Sequence, residues 1–497
     1  MATGADRTRD GVAVEGFALY VAALGAVAVL AVLSNRLADR LRLPAPALFL
    51  FAAAIVSDLF PKLNELSLYA VRHLVEIALV LVLFSGGMSM GWRRLRPSLG
   101  PVALVGVLGT LLTAGALALV LRWVFGFDWL AALLVGTALS PTDPAAVFSV
   151  LGRRTVVGRS GTILGGESGA NDPVGIALMA SLLAAGTAGG WSAVASGVGE
   201  FALQLVVGSV VGLAGGWLIL QLMRRVSLPD ESLYPLQVLF AAASIYGVAT
   251  LARGSGFLAV FLAGIVVGDA RAPFKREIQR FHGALASLGE ILAFGLLGLI
   301  VSLRSMVTER AWLTGLVLAV LLTFVIRPIV VGGLLSTIRL RWGERIFVVW
   351  SGLKGAVPIL LGTFILTADL DQDLRLFDIV FAVVAFSIVV QGGLVPLVAR
   401  WCRVPMRTTP LQPWAVGIRV QGEPVGLRHY TVASGAPADG RPLFELSRDE
   451  GVWVSLVSRD GEQVQLGRST VLRAGDEVLV AGGEQPAAER VFTGRDA

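Results

Sequence analysis

The sequence predicts an all-α polytopic membrane protein: about thirteen transmembrane helices in two inverted six-helix repeats with crossed broken helices, then a small α+β cytoplasmic C-terminal domain. Three observations predict it. The 497 residues are 55% hydrophobic and 15% charged, with mean hydropathy +0.76, too apolar for a soluble globule, and apolar runs of about twenty residues recur. Basic residues gather in alternate loops between those runs. Two of the runs are interrupted near their middles by proline and polar residues, at corresponding places in the two halves.

The same composition excludes several classes. The single cysteine, Cys402, leaves neither an intramolecular disulfide nor a thiolate cluster. His73, His282 and His429 lie too far apart for zinc spacing. The basic pI of 9.9 is explained by short basic loops and implies no nucleic acid. The first sixteen residues are polar and mixed in charge, without a signal-peptide layout, so the first apolar run is read as a retained helix.

The thirteen predicted spans cover 16–35, 44–58, 69–90, 99–123, 129–150, 160–185, 194–223, 233–252, 256–270, 283–303, 311–336, 345–367 and 377–400. Many are glycine-rich, which suits close packing where lipid supplies no hydrophobic drive between helices. Loops after odd-numbered spans hold eighteen Lys and Arg residues and loops after even-numbered spans hold seven, without reversal. This places the odd-loop side in the cytoplasm of a cell (inner) membrane, with the N-terminus outside and the C-terminal domain inside.

The fifth span contains Ala138-Leu-Ser-Pro-Thr-Asp-Pro-Ala145 and the twelfth Trp350-Ser-Gly-Leu-Lys-Gly-Ala-Val-Pro358. Spans 1–6 and 8–13 form two units of opposite orientation in which these two correspond. Such pairs point to broken helices at a transporter's midplane site. Proline lacks an N–H, so Pro144 releases the carbonyl of Ser140 and Pro358 that of Lys354. Asp143 before Pro144 reads equally as an N-cap and as a cation contact, and Lys354 fits a similar role in the twelfth span.

The sixth span carries Gly161-Thr-Ile-Leu-Gly-Gly-Glu-Ser-Gly-Ala-Asn-Asp-Pro-Val-Gly-Ile-Ala-Leu-Met179. An acid near the bilayer centre costs roughly 2.5–3.5 kcal/mol on insertion scales, so two within six residues are expected to have work to do. On a helix, Ser168 and Asp172 share one face, and Glu167 and Asn171 share another rotated by about 100°. Pro173 frees the carbonyl of Gly169 to face a ligand. Asp172 reads as a carboxylate that binds a cation or a proton; the competing reading is a buried polar network between helices. Arg327, deep in the eleventh span, needs a carboxylate partner, and Glu167 is the candidate. Glu290 in the tenth span is read as a buried helix contact in preference to a pathway residue.

These residues resemble the electroneutral branch of the monovalent cation:proton antiporter family, the sodium (or potassium)/proton exchangers, over nearly the whole membrane part. The carriers are Thr142-Asp143-Pro144, Glu167-Ser168…Asn171-Asp172, Arg327-Pro328 and Gly352-Leu-Lys-Gly355. The resemblance implies that Asp172 is the exchanged-ion carboxylate and that Ser168 and Thr142 complete the cation shell. It also implies that Glu167 and Arg327 pair structurally and that the protein is a homodimer with a moving core domain. With Asn171 beside it, only Asp172 changes charge, so one cation displaces one proton. Two departures stand out: Lys354 where the family usually has Arg, and Ser85 where many relatives carry an acid.

After Trp401 the composition turns polar. A membrane domain over 1–403 is followed by a linker over 404–416, with Pro405, Pro410 and Pro413, and a domain over 417–497. Val452–Ser458 alternates as a strand, Arg459-Asp-Gly-Glu462 is a hairpin turn, and Gln463–Leu466 returns beside it. Ala474-Gly-Asp476 turns into a strand over Glu477–Ala481, and a short helix follows from Pro486. This run resembles the TrkA-C (RCK-C) regulatory domains, which implies dimerisation and sensing of a nucleotide or cyclic dinucleotide; no resident cofactor is expected. The association of such domains with potassium systems favours K+ over Na+ as substrate. A channel lacks its Thr-Val-Gly-Tyr-Gly filter here, an intramembrane enzyme lacks His-Glu-x-x-His and a histidine base near Ser168, and a transport-derived sensor is the remaining alternative.

Overall fold

The computed structural model describes residues 25–34, 44–60, 67–408 and 427–494. Within these, 152–153, 187–189, 271, 273, 309, 369–372, 450–451, 460–461, 465, 468–469 and 482–484 are excepted, and residues 18, 22 and 38 are described singly. The chain divides into two compact units, Met1–Thr408 and Thr409–Ala497.

In the first unit the helices are α1 (Gly25–Ser34), α2 (Ala45–Leu59), α3 (Leu68–Met90), α4 (Trp92–Trp123) and α5 in two pieces, α5a (Trp129–Ala138) and α5b (Pro144–Leu151). They continue as α6 (Arg159–Gly186), α7 (Gly190–Arg225), α8 (Leu233–Leu251), α9 (Gly256–Asp269), α10 (Lys275–Ile300), a short helix over Leu303–Thr308, and α11 (Ala311–Ser336). Last come α12a (Trp342–Trp350), α12b (Ala356–Ile365) and α13 (Asp373–Trp401). Among the described residues, seven helices are long and apolar enough to cross a membrane: α3, α4, the 196–225 part of α7, α8, α10, α11 and α13. Shorter apolar helices are α1, α2, α5a, α9 and α12b. The polar residues that make α6 interesting also keep it out of the strongly apolar group.

The predicted interruptions are real breaks, over residues 139–143 and 351–355. Pro144 opens α5b, where its missing N–H costs nothing. Pro358 is the third residue of α12b, a position whose N–H has no intrahelical acceptor anyway; the break lies just before it. α6 runs unbroken through Pro173, and the Phe261 ring covers its Gly169 face, where a β-carbon would overlap the ring. Three helices contain π-helical turns that the sequence did not announce: Leu104–Leu108 in α4, Leu322–Ile326 in α11 and Ser387–Gly392 in α13. Such turns often mark functional sites, and each of these serves the region around the breaks. The α4 turn seats α6, with Gly106 against Ala170 and the carbonyl of Glu167. The α11 turn leads straight into Arg327, and the α13 turn supplies Ser387 and Gln391 to the break in α12.

The helices sort into two packing groups. One joins α2, α3, α7, α8, α9 and α10; the other joins α4, α5, α6, α11, α12 and α13. Within the first, Gly264 of α9 sits on the Phe84 carbonyl and Gly268 on that of Met88, so close that a β-carbon would overlap them. This is how small residues let helices approach in lipid. The two groups meet where α6 touches α3, α7 and α9, and where α10 touches α12b.

The membrane unit does not end with α13. Residues 406–408, read from the sequence as linker, form strand β2 (Met406–Thr408), paired antiparallel with β1 (Arg154–Val156) between α5b and α6. In the second unit, β3 (Leu427–Thr431), β4 (Trp453–Arg459), β5 (Glu462–Val464) and β6 (Glu477–Ala481) form an antiparallel sheet in the order β3-β6-β4-β5. Helices α14 (Leu443–Asp449) and α15 (Gln485–Thr493) accompany it. Strand β3 was not recognised in the sequence. The tip of the predicted hairpin, 460–461, lies outside the described residues, but Arg459 and Glu462 pair across it. Val432, Leu446, Val457, Leu472, Val478, Val480, Val491 and Phe492 form the core. Beside it Asp476, 1% exposed, accepts from Arg459 Nε and Nη2 and from the Arg473 N–H, all at 2.8 Å. Burial works against its charge, but these bonds outweigh it and hold the Asp476 carboxyl below its ordinary pKa.

Candidate functional site

The two breaks meet and bind one another. The Asp143 N–H donates to the Leu353 carbonyl at 2.7 Å. Lys354 Nζ donates to the carbonyls of Ser140 at 3.1 Å and Pro141 at 2.9 Å. Lys354 is 1% exposed, and its ammonium meets the negative C-terminal end of α5a. Asp143 Oδ1 accepts from the Ala145 N–H at 2.8 Å, capping α5b. The same carboxylate lies against Gly355, where a β-carbon would overlap it, so it also faces the start of α12b. From α13, Ser387 Oγ accepts from the Lys354 N–H at 3.0 Å, and Gln391 Nε2 donates to the Trp350 carbonyl at 2.5 Å. The carbonyls of Ser140, Pro141 and Trp350 and the N–H groups of Lys354 and Ala145 are thereby served by specific side chains, in keeping with a membrane interior.

Arg327 does for α12a what Lys354 does for α5a. Its Nε donates to the Val349 carbonyl at 2.7 Å and its Nη2 to that of Val348 at 3.3 Å. Nη2 also donates to Glu167 Oε1 at 2.7 Å, with side chains 4% and 3% exposed. The guanidinium lies on Gly352, where a β-carbon would overlap it. Asn171 Nδ2 donates to Thr142 Oγ1 at 2.7 Å, and Thr142 stands 3.5 Å from Glu167 Oε1, a long contact. Glu167 Oε2 and Asn171 Oδ1 are buried with no hydrogen-bond donor among the described residues.

Asp172 is placed differently from its neighbours. It lines a small cavity of about 40 Å³ with Thr142, Asp143, Glu290 and Gly355–Pro358, walled by Leu79, Val82, Ala293 and Phe294. The cavity lies where the two packing groups meet, since α3 and α10 supply one wall and α5, α6 and α12 the other. Of the predicted site residues, Thr142, Asp143 and Asp172 are brought together there. Asn171 reaches it through Thr142, while Ser168 is buried and is not among the residues lining it. Glu290, read from the sequence as a helix contact, faces the cavity; its signal was an acid in an otherwise apolar stretch. Ser85 stands elsewhere, in a polar cleft of about 560 Å³ with Ser89, Arg94, Asp269, Lys275 and Gln279. Chemically, the cavity offers carboxylates and a hydroxyl, and no Lys, Arg or His lines it among the described residues. Such a lining attracts a cation or a proton.

Comparison with known proteins agrees with this reading of the fold. Residues 25–401 match the family model "Sodium/hydrogen exchanger, transmembrane", and residues 427–490 match the TrkA-C domain. The chain is 32% identical over 476 residues to a protein of Alkalimonas amylolytica named K(+)/H(+) antiporter NhaP, covering 94% of this chain and 81% of that one. It is 31% identical over 480 residues to K(+)/H(+) antiporter NhaP2 of Shewanella sp. MR-4, covering 96% and 83%. Among solved structures, the sodium proton antiporter MjNhaP1 of Methanocaldococcus jannaschii at pH 8 superposes with a TM-score of 0.65 at 20% identity, covering 77% of this chain and 98% of that one. The chain therefore belongs to the sodium/hydrogen exchanger family, as a membrane-spanning transport protein that carries a C-terminal TrkA-C domain.

Proposed function

We propose that the protein exchanges a monovalent cation for a proton across the cell membrane, with the two competing for Asp172. One observation carries this reading. Asp172 lines the cavity at the two helix breaks, while Glu167 is paired with Arg327 and Asp143 caps α5b. Thr142, which shares the cavity, and Ser168, one helical turn before Asp172, complete the cation shell. Asn171 adds no charge, so each cation displaces one proton and exchange is electroneutral. Potassium is the favoured substrate, as in the names of the relatives from Alkalimonas and Shewanella. Sodium is the second reading, supported by a Halobacillus aidingensis relative named Na(+)/H(+) antiporter NhaH, 29% identical over 297 residues.

Access alternates by movement of the α4–α6 and α11–α13 group against the other. The inverted six-helix repeats are supported by two correspondences, the paired breaks in α5 and α12 and the paired π turns in α4 and α11. The protein works as a homodimer, with its N-terminus outside and the TrkA-C domain in the cytoplasm, where a nucleotide or cyclic dinucleotide regulates it.

Proteoliposomes with an internal pH dye test the assignment, given K+, Na+, Rb+ or Li+ gradients under a clamped membrane potential. The native protein should move protons against K+ at a rate and to an end-point independent of the potential. Asp172→Asn should insert normally and exchange nothing. Normal transport by that variant would remove Asp172 from the role, and a potential-dependent end-point would refute 1:1 exchange.

A further inference from the structure

Glu290 is the one cavity-lining acid that the first packing group provides. It sits in α10, half-buried, on the wall formed with Leu79, Val82, Ala293 and Phe294. Among the described residues its carboxylate has neither a hydrogen bond nor an ion pair. The other buried charges around the breaks are engaged: Arg327 with Glu167 and two α12a carbonyls, Lys354 with two α5 carbonyls, and Asp143 with the first turn of α5b. This leaves two carboxylates in one cavity that make neither a hydrogen bond nor an ion pair among the described residues, Asp172 and Glu290, on opposite sides of the seam. An uncompensated acid at membrane depth is costly and is retained for a task.

We propose that Glu290 is a positioning residue of the exchange, a second carboxylate that strengthens cation binding at Asp172 only in the orientation where the two packing groups bring both to the same cavity. The inference rests on the reading of Asp172 as the exchange site and on relative motion of the two groups. Glu290 stays with α10 while Asp172 travels with α6. A cation held by Asp172 is therefore attracted by Glu290 on one side of the membrane and released from that attraction on the other. An acid that moved with the site would strengthen binding equally in both orientations, and a purely structural acid would not alter affinity. Glu290 is left behind by the carried ion, so it gives the two faces unequal affinities without entering the stoichiometry.

The test measures half-saturating K+ separately at each face of the full-length protein. Everted vesicles with an external pH dye read one face, and right-side-out vesicles with a trapped dye read the other. Glu290→Gln should raise half-saturating K+ about tenfold at one face, the factor that about 1.4 kcal/mol of lost attraction gives. It should leave the other face within twofold and change the maximal rate little. Glu290→Asp, which keeps the charge, should recover most of the affinity, and it stands in for the Gln variant if that one fails to insert, with a smaller shift at the same face. Equal shifts at both faces, no shift, or a lower maximal rate at unchanged half-saturation would overturn the proposal. If Asp172→Asn still exchanges, the underlying site is wrong; if it does not and Glu290→Gln shows no sidedness, the inference alone fails.

Discussion

Separating Glu167 and Arg327 gives the sharpest test of the buried framework around the site. The pair is joined at 2.7 Å with both side chains nearly inaccessible, and Arg327 also holds two carbonyls at the end of α12a. In Arg327→Met the guanidinium is lost, and Glu167 keeps only the long Thr142 contact. Breaking a buried pair from one side costs about 3–5 kcal/mol. Glu167→Gln leaves Arg327 its carbonyl partners and should cost less, about 2 kcal/mol. In the double variant no unpaired carboxylate remains, so the combined loss should fall short of the sum by about 2 kcal/mol. The assay is equilibrium unfolding in mixed micelles with increasing SDS, read by tryptophan fluorescence for all four proteins of the cycle. If the losses add to within about 0.5 kcal/mol, the two groups are not coupled and the framework role assigned to the pair is wrong.

Lys354→Met should destabilise the membrane unit by about 3 kcal/mol, since two charge-assisted bonds to Ser140 and Pro141 are lost. Lys354→Arg should retain most of that stability, and an unaffected unfolding midpoint in the Met variant would refute the helix-end role. In the C-terminal unit, the lowered pKa of Asp476 means that its stabilising contribution is complete above the unfolded carboxylate pKa of about 3.9 and is lost as pH falls through the lower folded value. Asp476→Asn should remove it at neutral pH, at a cost of about 3 kcal/mol. Faster amide hydrogen exchange over 427–481 in the full-length protein should reveal the loss, and unchanged exchange would refute it.

How much of this was legible in sequence follows from the kind of signal each feature leaves. Proline and charge are expensive in lipid, so Pro144, Pro358, Asp143, Lys354 and the Glu167/Arg327 pair stood out, and the breaks fell where they pointed. The π turns did not stand out because Leu104–Leu108 and Leu322–Ile326 are apolar throughout; an extra residue in a helical turn changes register without changing composition. Glu290 was visible as an acid, but its direction depends on the register of α10 against α3, which Gly289 fixes by sitting on the Ala78 backbone. Pro173 left no break, because a proline inside a well-packed helix need not interrupt it. In the tail, turn residues gave β4, β5 and β6, whereas β3 has no hairpin partner beside it in sequence and pairs with a strand about fifty residues later.

The pairing of β1 with β2 has a mechanical consequence. The chain that leaves α13 for the TrkA-C domain does not hang from the last helix. It is first laid along residues 154–156, with Thr408 opposite Arg154 and Met406 opposite Val156, and with the Val157 N–H donating to the Pro405 carbonyl at 3.1 Å. Tension on the segment after Thr408 therefore loads the link between α5b and α6, not α13 alone. Arg159 begins α6, and Asp172 lies thirteen residues further along it, about 20 Å at 1.5 Å per residue. A rigid helix of that length passes a displacement at one end to the other with little loss. The grip at 406–408 thus ties the segment that follows α13 to the link that leads into the carboxylate-bearing helix.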